Sequence, residues 1–242
     1  ALLAGLLDAL AGGGGLISLP ALLMTGMSPL AALGTNKLQG SMGTATATIT
    51  LIKQGYLHWH EIKWLMLYAF IGAALGAMII QLVNLQSIDW LIPIVLGVIG
   101  VYFLTAPATI THPKVEDPSN QPRLTKLYHR LTTPLIGGYD GMFGPGTGAF
   151  FTLAGVAQRN EELTEATAKA KALNFSTNVA SLIVFLSVGQ LHWQAGLLMM
   201  IGQMLGAWIG AKSLVKINPK HLKFLIVLVS FSMLLKYVYA LE

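Results

Sequence analysis

Asp8-Ala9-Leu10-Ala11-Gly12-Gly13-Gly14-Gly15-Leu16-Ile17-Ser18-Leu19-Pro20 sets four consecutive glycines inside an apolar run. Glycine at membrane depth weakens a helix and frees backbone groups that must find partners, so a paired break of this kind points to a transporter binding site. The pair is present. Half a chain later Gly144-Pro145-Gly146-Thr147-Gly148 interrupts a second apolar segment, again four residues after an aspartate, Asp140. Of the 242 residues, 54% are hydrophobic and 10% charged, with a mean hydropathy of +0.65. A soluble domain carries roughly 25% charged residues. Ile62 to Val83, Trp90 to Ala106, Trp193 to Leu214 and His221 to Leu241 are each long enough to cross a hydrocarbon layer of about 30 Å. The composition is that of an integral membrane protein.

Several function classes fall away. The net charge of +5 is scattered at segment ends and forms no nucleic-acid surface. With no cysteine, thiolate catalysis, disulfides and cysteine metal sites are excluded. There is no Gly-x-Ser-x-Gly and no Walker A, so serine hydrolysis and nucleotide-driven pumping have no foothold, and neither an enzyme nor a cofactor is expected. The chain opens at Ala1 inside an apolar run, which reads as a first helix lacking its beginning and not as a signal peptide.

The two halves share a plan. A shift of 134 residues brings Gly55-Tyr56-Leu57-His58-Trp59 onto Gly189-Gln190-Leu191-His192-Trp193, Lys37 onto Lys171 and Gly14 onto Gly148. A different shift sets Gly72-Ala73-Ala74-Leu75-Gly76-Ala77 on Gly202-Gln203-Met204-Leu205-Gly206-Ala207. The expected fold is an all-α polytopic membrane protein of two homologous repeats, each with a glycine-broken helix plus three transmembrane helices. Residues 1–106 form the first repeat, 107–130 a polar cytoplasmic linker and 131–242 the second repeat. Charge bias decides how the breaks run. If each broken segment spans, Lys53, Lys63, Lys114, Arg123, Lys126 and Arg130 face one side and Arg159, Lys212, Lys216 and Lys220 the other. If each is a re-entrant hairpin, all ten share a side, which the positive-inside rule prefers; Lys236 alone runs against it. An odd number of crossings then inverts one repeat relative to the other.

Leu16 to Thr25 and Ala149 to Ala157 read as half-helices whose amino ends, at Gly13, Gly14 and Gly15 and at Gly146, Thr147 and Gly148, favour an anion. The plainer reading is that these glycines only permit close packing. Lys37 and Lys171 lie about two turns into their helices, with Thr35, Asn36 and Gln39 near the first and Asn174 and Asn178 near the second. Two lysines and two helix amino ends suit an oxyanion; a structural pair with Asp8 or Asp140, or snorkelling, is the alternative. Asp8 and Asp140 are candidates for proton coupling or for capping a half-helix. His58-Trp59 and His192-Trp193 read as interfacial anchors, and no histidine spacing suits a metal.

Taken with Gly34-Thr35-Asn36-Lys37-Leu38-Gln39, Ala168-Lys169-Ala170-Lys171-Ala172-Leu173-Asn174 and Tyr139-Asp140-Gly141-Met142-Phe143, the two breaks resemble the sulfite exporter TauE/SafE family over almost the whole chain, most of all its YfcA-type branch. The resemblance implies a multi-pass protein of the bacterial inner membrane that moves sulfur-containing oxyanions or organosulfonates such as sulfite and thiosulfate. The expected function is therefore secondary transport of a small anion, coupled to protons. An anion channel and a non-transporting scaffold subunit are the rivals. The expected partners are the anion, the lipid bilayer and a second copy of the chain in a homodimer, with no nucleic acid.

Overall fold

The computed structural model describes residues 1–83, 101, 123–218, 220–222, 224–228, 231 and 235, with backbone only for 123–130. The stretch Trp90 to Ala106, apart from Val101, and residues 107–122 of the linker lie outside the described residues, as does Lys236. Among the described residues the main elements are eight helices and no strands: α1 (Leu2–Ala11), α2 (Gly14–Leu23), α3 (Pro29–Lys53), α4 (Trp59–Ile80), α5 (Arg123–Met142), α6 (Thr147–Arg159), α7 (Leu163–Ser187) and α8 (Trp193–Leu214). The half-helices expected after the breaks are α2 and α6. Helix α5 begins at Arg123, inside the stretch read as linker.

Why these segments become helices at these places follows from their ends and their hydroxyls. Ser28 caps α3 by accepting from the Ala31 amide, and Pro29 sits at the first helical position, where its missing N–H costs nothing. His192 caps α8 through Nδ1. Helices α3 and α7 are speckled with polar residues yet lie at the centre. Their hydroxyls return to the chain's own carbonyls, as with Ser41 to Lys37, Thr44 to Gly40, Thr167 to Leu163 and Ser181 to Thr177. A hydroxyl satisfied one turn back carries little desolvation cost.

Small residues fix which helices touch. A Cβ on Gly72 or Gly76 of α4 would collide with the carbonyls of Pro134 and Gly138 in α5, and one on Gly206 or Gly210 of α8 would strike Leu2 and Leu6 of α1. These are backbone-to-backbone packings that only glycine allows. In both pairs the contacts climb together along the chain, so α4 runs parallel to α5 and α8 parallel to α1. By the same test α8 is parallel to α3, where Gly196 meets Leu38 and Gly43 meets Gln203. Helix α7 is parallel to α4, where Lys169 reaches Glu61 and Ser176 bonds Met66. Helices α3 and α7 cross antiparallel, Gly34 lying against Phe185 and Gly40 against Asn178. So α1, α3 and α8 run one way, and α5, α7 and α4 the other.

The helix bounds also bear on how the two halves align. Helices α3 and α7, and α4 and α8, start and end at one 134-residue offset, and Gly72 is the counterpart of Gly206. The sequence pairing of Gly72 with Gly202 is one helical turn out of step.

The outer faces of α4 and α8 present Trp64, Leu67, Ile71, Leu75 and Leu198, Ile201, Leu205, Trp208 to the surroundings. Both helices are long and apolar enough to cross a membrane, with mean hydropathies of 1.8 and 1.3. Trp59 and Trp193 stand exposed at their amino ends, as interfacial anchors would.

Candidate functional site

Both breaks are sharp reversals. Gly12 ends α1 in the left-handed region at φ 72°, with its amide on the Asp8 carbonyl at 2.9 Å, and Gly14 is thereby brought back beside Ala4 and Asp8. In a continuous helix about 1.5 Å per residue would hold Gly14 and Ala4 some 15 Å apart. The second break uses Gly144 at φ 91° and Gly146 at φ 80°, and it packs the Phe150 ring on Tyr139 at 5.2 Å between centroids. The two turns then meet. Gly12 lies on the Gly148 backbone so closely that a Cβ on either would overlap the other, and Gly15 faces Pro145.

Around that meeting point the charged groups of the two halves exchange partners. Lys37 Nζ donates to the Asp140 main-chain carbonyl at 2.5 Å and stands 2.9 Å from its Oδ1. Lys171 Nζ donates to the main-chain carbonyl of Asp8 at 2.5 Å. Each lysine therefore binds the other half's aspartate, on a carbonyl just ahead of the break, where the dipole of a helix end favours a cation. The carboxylates also reach the half-helix that follows each break. Asp8 Oδ1 accepts from the Gly14 amide at 3.2 Å, capping α2, and Asp140 Oδ1 accepts from Thr147 Oγ1 at 2.7 Å, at the start of α6. The structural pairing named as an alternative in the sequence is present for Lys37 with Asp140, and among the described residues no carboxylate stands within 4.0 Å of Lys171.

A small cavity opens beside this lattice. Of the sequence candidates it is lined by Asp8, Gly15, Asn36, Lys37, Asp140, Asn174 and Asn178. Asn36 is oriented by its neighbours: Oδ1 accepts from Ser18 Oγ at 2.6 Å and from Gln39 Nε2 at 2.8 Å. Its Nδ2 is left as a donor beside Gly15. Asn178 Nδ2 lies 3.4 Å from Asn174 Oδ1. Gly13, Gly14, Gly146, Thr147 and Gly148 shape the turns without lining the cavity, and Lys171 stands outside the lining too. Thr35 sits at the end of the bundle, donating to the Ala31 carbonyl and accepting from the His192 amide. Ser18, Gly40 and Gln203, which the sequence does not single out, line the cavity too, as does Gly144 of the second break. About 20 Å³ is open to the centres of water molecules, room for a water but not for a sulfur atom with three oxygens.

A second charged cluster lies at the end of the bundle where α3 ends. Arg159 binds Glu161 through Nε at 3.0 Å and Nη2 at 3.1 Å. Lys169 reaches Glu161 at 3.1 Å, Glu165 at 2.6 Å and Glu61 of α4 at 3.6 Å. Burial pushes the Glu161 carboxyl up, but Arg159 and Lys169 together outweigh it and hold it below the usual glutamate range. A lowered native pKa means stability that is complete above the unfolded value, about 4.3, and is lost as pH falls through the native one. Glu161→Gln should therefore abolish part of the acid sensitivity of unfolding below about pH 4.3, measured as melting temperature against pH. An unchanged acid limb would remove the cluster as its source.

A bundle that turns tryptophan and leucine outward and gathers buried aspartates, lysines and amides round a small cavity has the make-up of a membrane transporter. Comparison with known proteins places it: the model of the sulfite exporter TauE/SafE family matches residues 1–237, and the chain belongs to that family. It is 40% identical over 237 residues to a probable membrane transporter protein of Haemophilus influenzae, covering 98% of this chain and 91% of that one. It is 40% identical over 237 residues to the probable membrane transporter protein ORF9 of a Sinorhizobium species, covering 98% and 88%. To the probable membrane transporter protein YfcA of Escherichia coli it is 38% identical over 240 residues, covering 99% and 87%. No solved structure matches it.

Proposed function

We propose that the chain is a secondary transporter of small sulfur-containing oxyanions or organosulfonates, built from two inverted repeats with re-entrant hairpins α1–α2 and α5–α6. The observation that carries this reading is the cavity where the two glycine turns meet, with Lys37 and three asparagines on its wall. Its donors are one buried ammonium and neutral amides, a set that suits a small anion and still lets it go. The antiparallel course of α1 against α5, α3 against α7 and α4 against α8 supports the inversion. Lys53, Lys63, Arg159, Lys212 and Lys216 all belong to the end of the bundle where α3 ends, which the positive-inside rule makes cytoplasmic in a bacterial inner membrane.

With so little open volume, seating an anion in the cavity requires the two turns to part. Asp8 and Asp140 share its wall with Lys37, and a proton on either carboxylate would lower the negative charge that an incoming anion meets. Proton coupling is assigned to these two residues on that ground. Purified protein tested by thermal shift against sulfite, thiosulfate, methanesulfonate and chloride should show a higher melting temperature with at least one of the sulfur anions and none with chloride, because a ligand stabilises the folded state by mass action. The same melting temperature in all four would sink the reading.

A further inference from the structure

The two-fold plan of the frame offers two related niches, one on each side of the meeting turns, and the sequence has treated them differently. On one side stand Asn36 and Gln39 of α3 and Gln203 of α8. At the 134-residue offset their counterparts are Ala170 and Leu173 of α7 and Ala69 of α4. Those three join Phe151, itself fully buried, in a small apolar cluster of their own. One niche is polar and borders the cavity; the other is filled by a phenyl ring.

Gln203 is the residue that changes most between the two. It is the single polar side chain between Gly196 and Ala211, on an otherwise apolar crossing helix, and only 2% of it is exposed. Its side chain lies across Gly43 of α3, where a Cβ would run into Cγ, Cδ and Nε2, and it reaches the cavity wall. The counterpart of Gly43 is Thr177, which would leave no such path. Neither Oε1 nor Nε2 of Gln203 has a hydrogen-bond partner among the described residues, so the amide brings an unspent donor, Nε2, to the cavity wall.

We propose that Gln203 contacts the transported anion and orients it on the α3–α8 side of the cavity, so that the chain has one binding niche and not a symmetric pair. This rests on the anion reading above. On binding, the carboxamide presents Nε2 to an oxygen of the ligand, and Gly43 is the notch that lets it through.

The test uses the purified chain and whichever of sulfite, thiosulfate and methanesulfonate binds the wild type, with affinity and unliganded melting temperature both measured. Gln203→Ala should weaken binding about tenfold, the loss expected of one hydrogen bond to a charged ligand, while the unliganded melting temperature holds or rises. Gly43→Ala, which displaces the same side chain, should weaken binding equally, and the double variant should be no worse than either single one. Phe151→Leu in the filled niche should leave affinity unchanged. Wild-type affinity in Gln203→Ala, or an equal loss of affinity in Phe151→Leu, overturns the assignment. A wild-type chain that binds none of the three anions contradicts the anion reading itself.

Discussion

Lys37→Met should destabilise the chain by about 3–5 kcal/mol, the usual effect of removing one partner from a buried ion pair. The ammonium is 1% exposed and holds both the main-chain carbonyl and the carboxylate of Asp140. Its removal strands a buried carboxylate whose Oδ2 already has no hydrogen-bond partner among the described residues. Adding Asp140→Asn should recover most of the loss, since replacing both charges removes the stranded one. Denaturant or thermal unfolding of the two single variants and the double checks this; a double variant destabilised by the sum of the two single losses would show that the pair is not coupled. The prediction also changes what a lysine deletion can be used for. From the sequence, Lys37→Ala and Lys171→Ala look like clean probes of binding that leave folding intact. With each lysine fastening one half's helix end to the other half, loss of transport in those variants reports folding and binding together. Gln203 is the cleaner probe.

Gly12→Ala should be worse still for assembly. The residue combines a left-handed φ of 72° with a backbone so near Gly148 that a methyl group overlaps it. The left-handed conformation alone costs an alanine about 1–2 kcal/mol, and a clash with main chain cannot be relieved by moving a side chain. The two turns would have to separate. Gly26 supplies the control: it has a φ of 83° and nothing within 4 Å of its absent Cβ. Gly26→Ala should show only the conformational part, about 1–2 kcal/mol. If both alanine variants gave the same yield and melting temperature, the close meeting of the breaks would not be what holds the halves together.

Much of the frame was legible because the features that build it are chemically loud. Consecutive glycines in an apolar run, and a lysine two turns into a polar-speckled helix, stand out against any membrane background. The pairing of Gly72 was misread for a physical reason: Gly202, Gly206 and Gly210 recur every helical turn on one face of α8, so a string match one turn out looks as good as the true register. Only the helix partner, the α1 backbone under Gly206, decides. The start of α5 at Arg123 was hidden because its first turns are as polar as a linker. Ser18 and Gln203 were missed because lining depends on which helices cross, and crossing is a tertiary fact. Gln203 did leave a signal, a lone amide in an apolar crossing helix, of the kind that marks function inside a membrane. The asymmetry of the site was also available, since Asn36 and Gln39 align with Ala170 and Leu173, but an apolar plug looks like any other core until Phe151 is seen to fill the matching niche.

Flux through the purified chain in liposomes tests the central claim most directly. With sulfite, thiosulfate and methanesulfonate presented in turn under an imposed pH gradient, the account predicts saturable uptake of at least one of them, faster with the gradient than without, and reduced at low substrate concentration in Gln203→Ala. Flux that never saturates at channel rates, or no flux of any of the three anions from a protein that is folded and inserted, would contradict it.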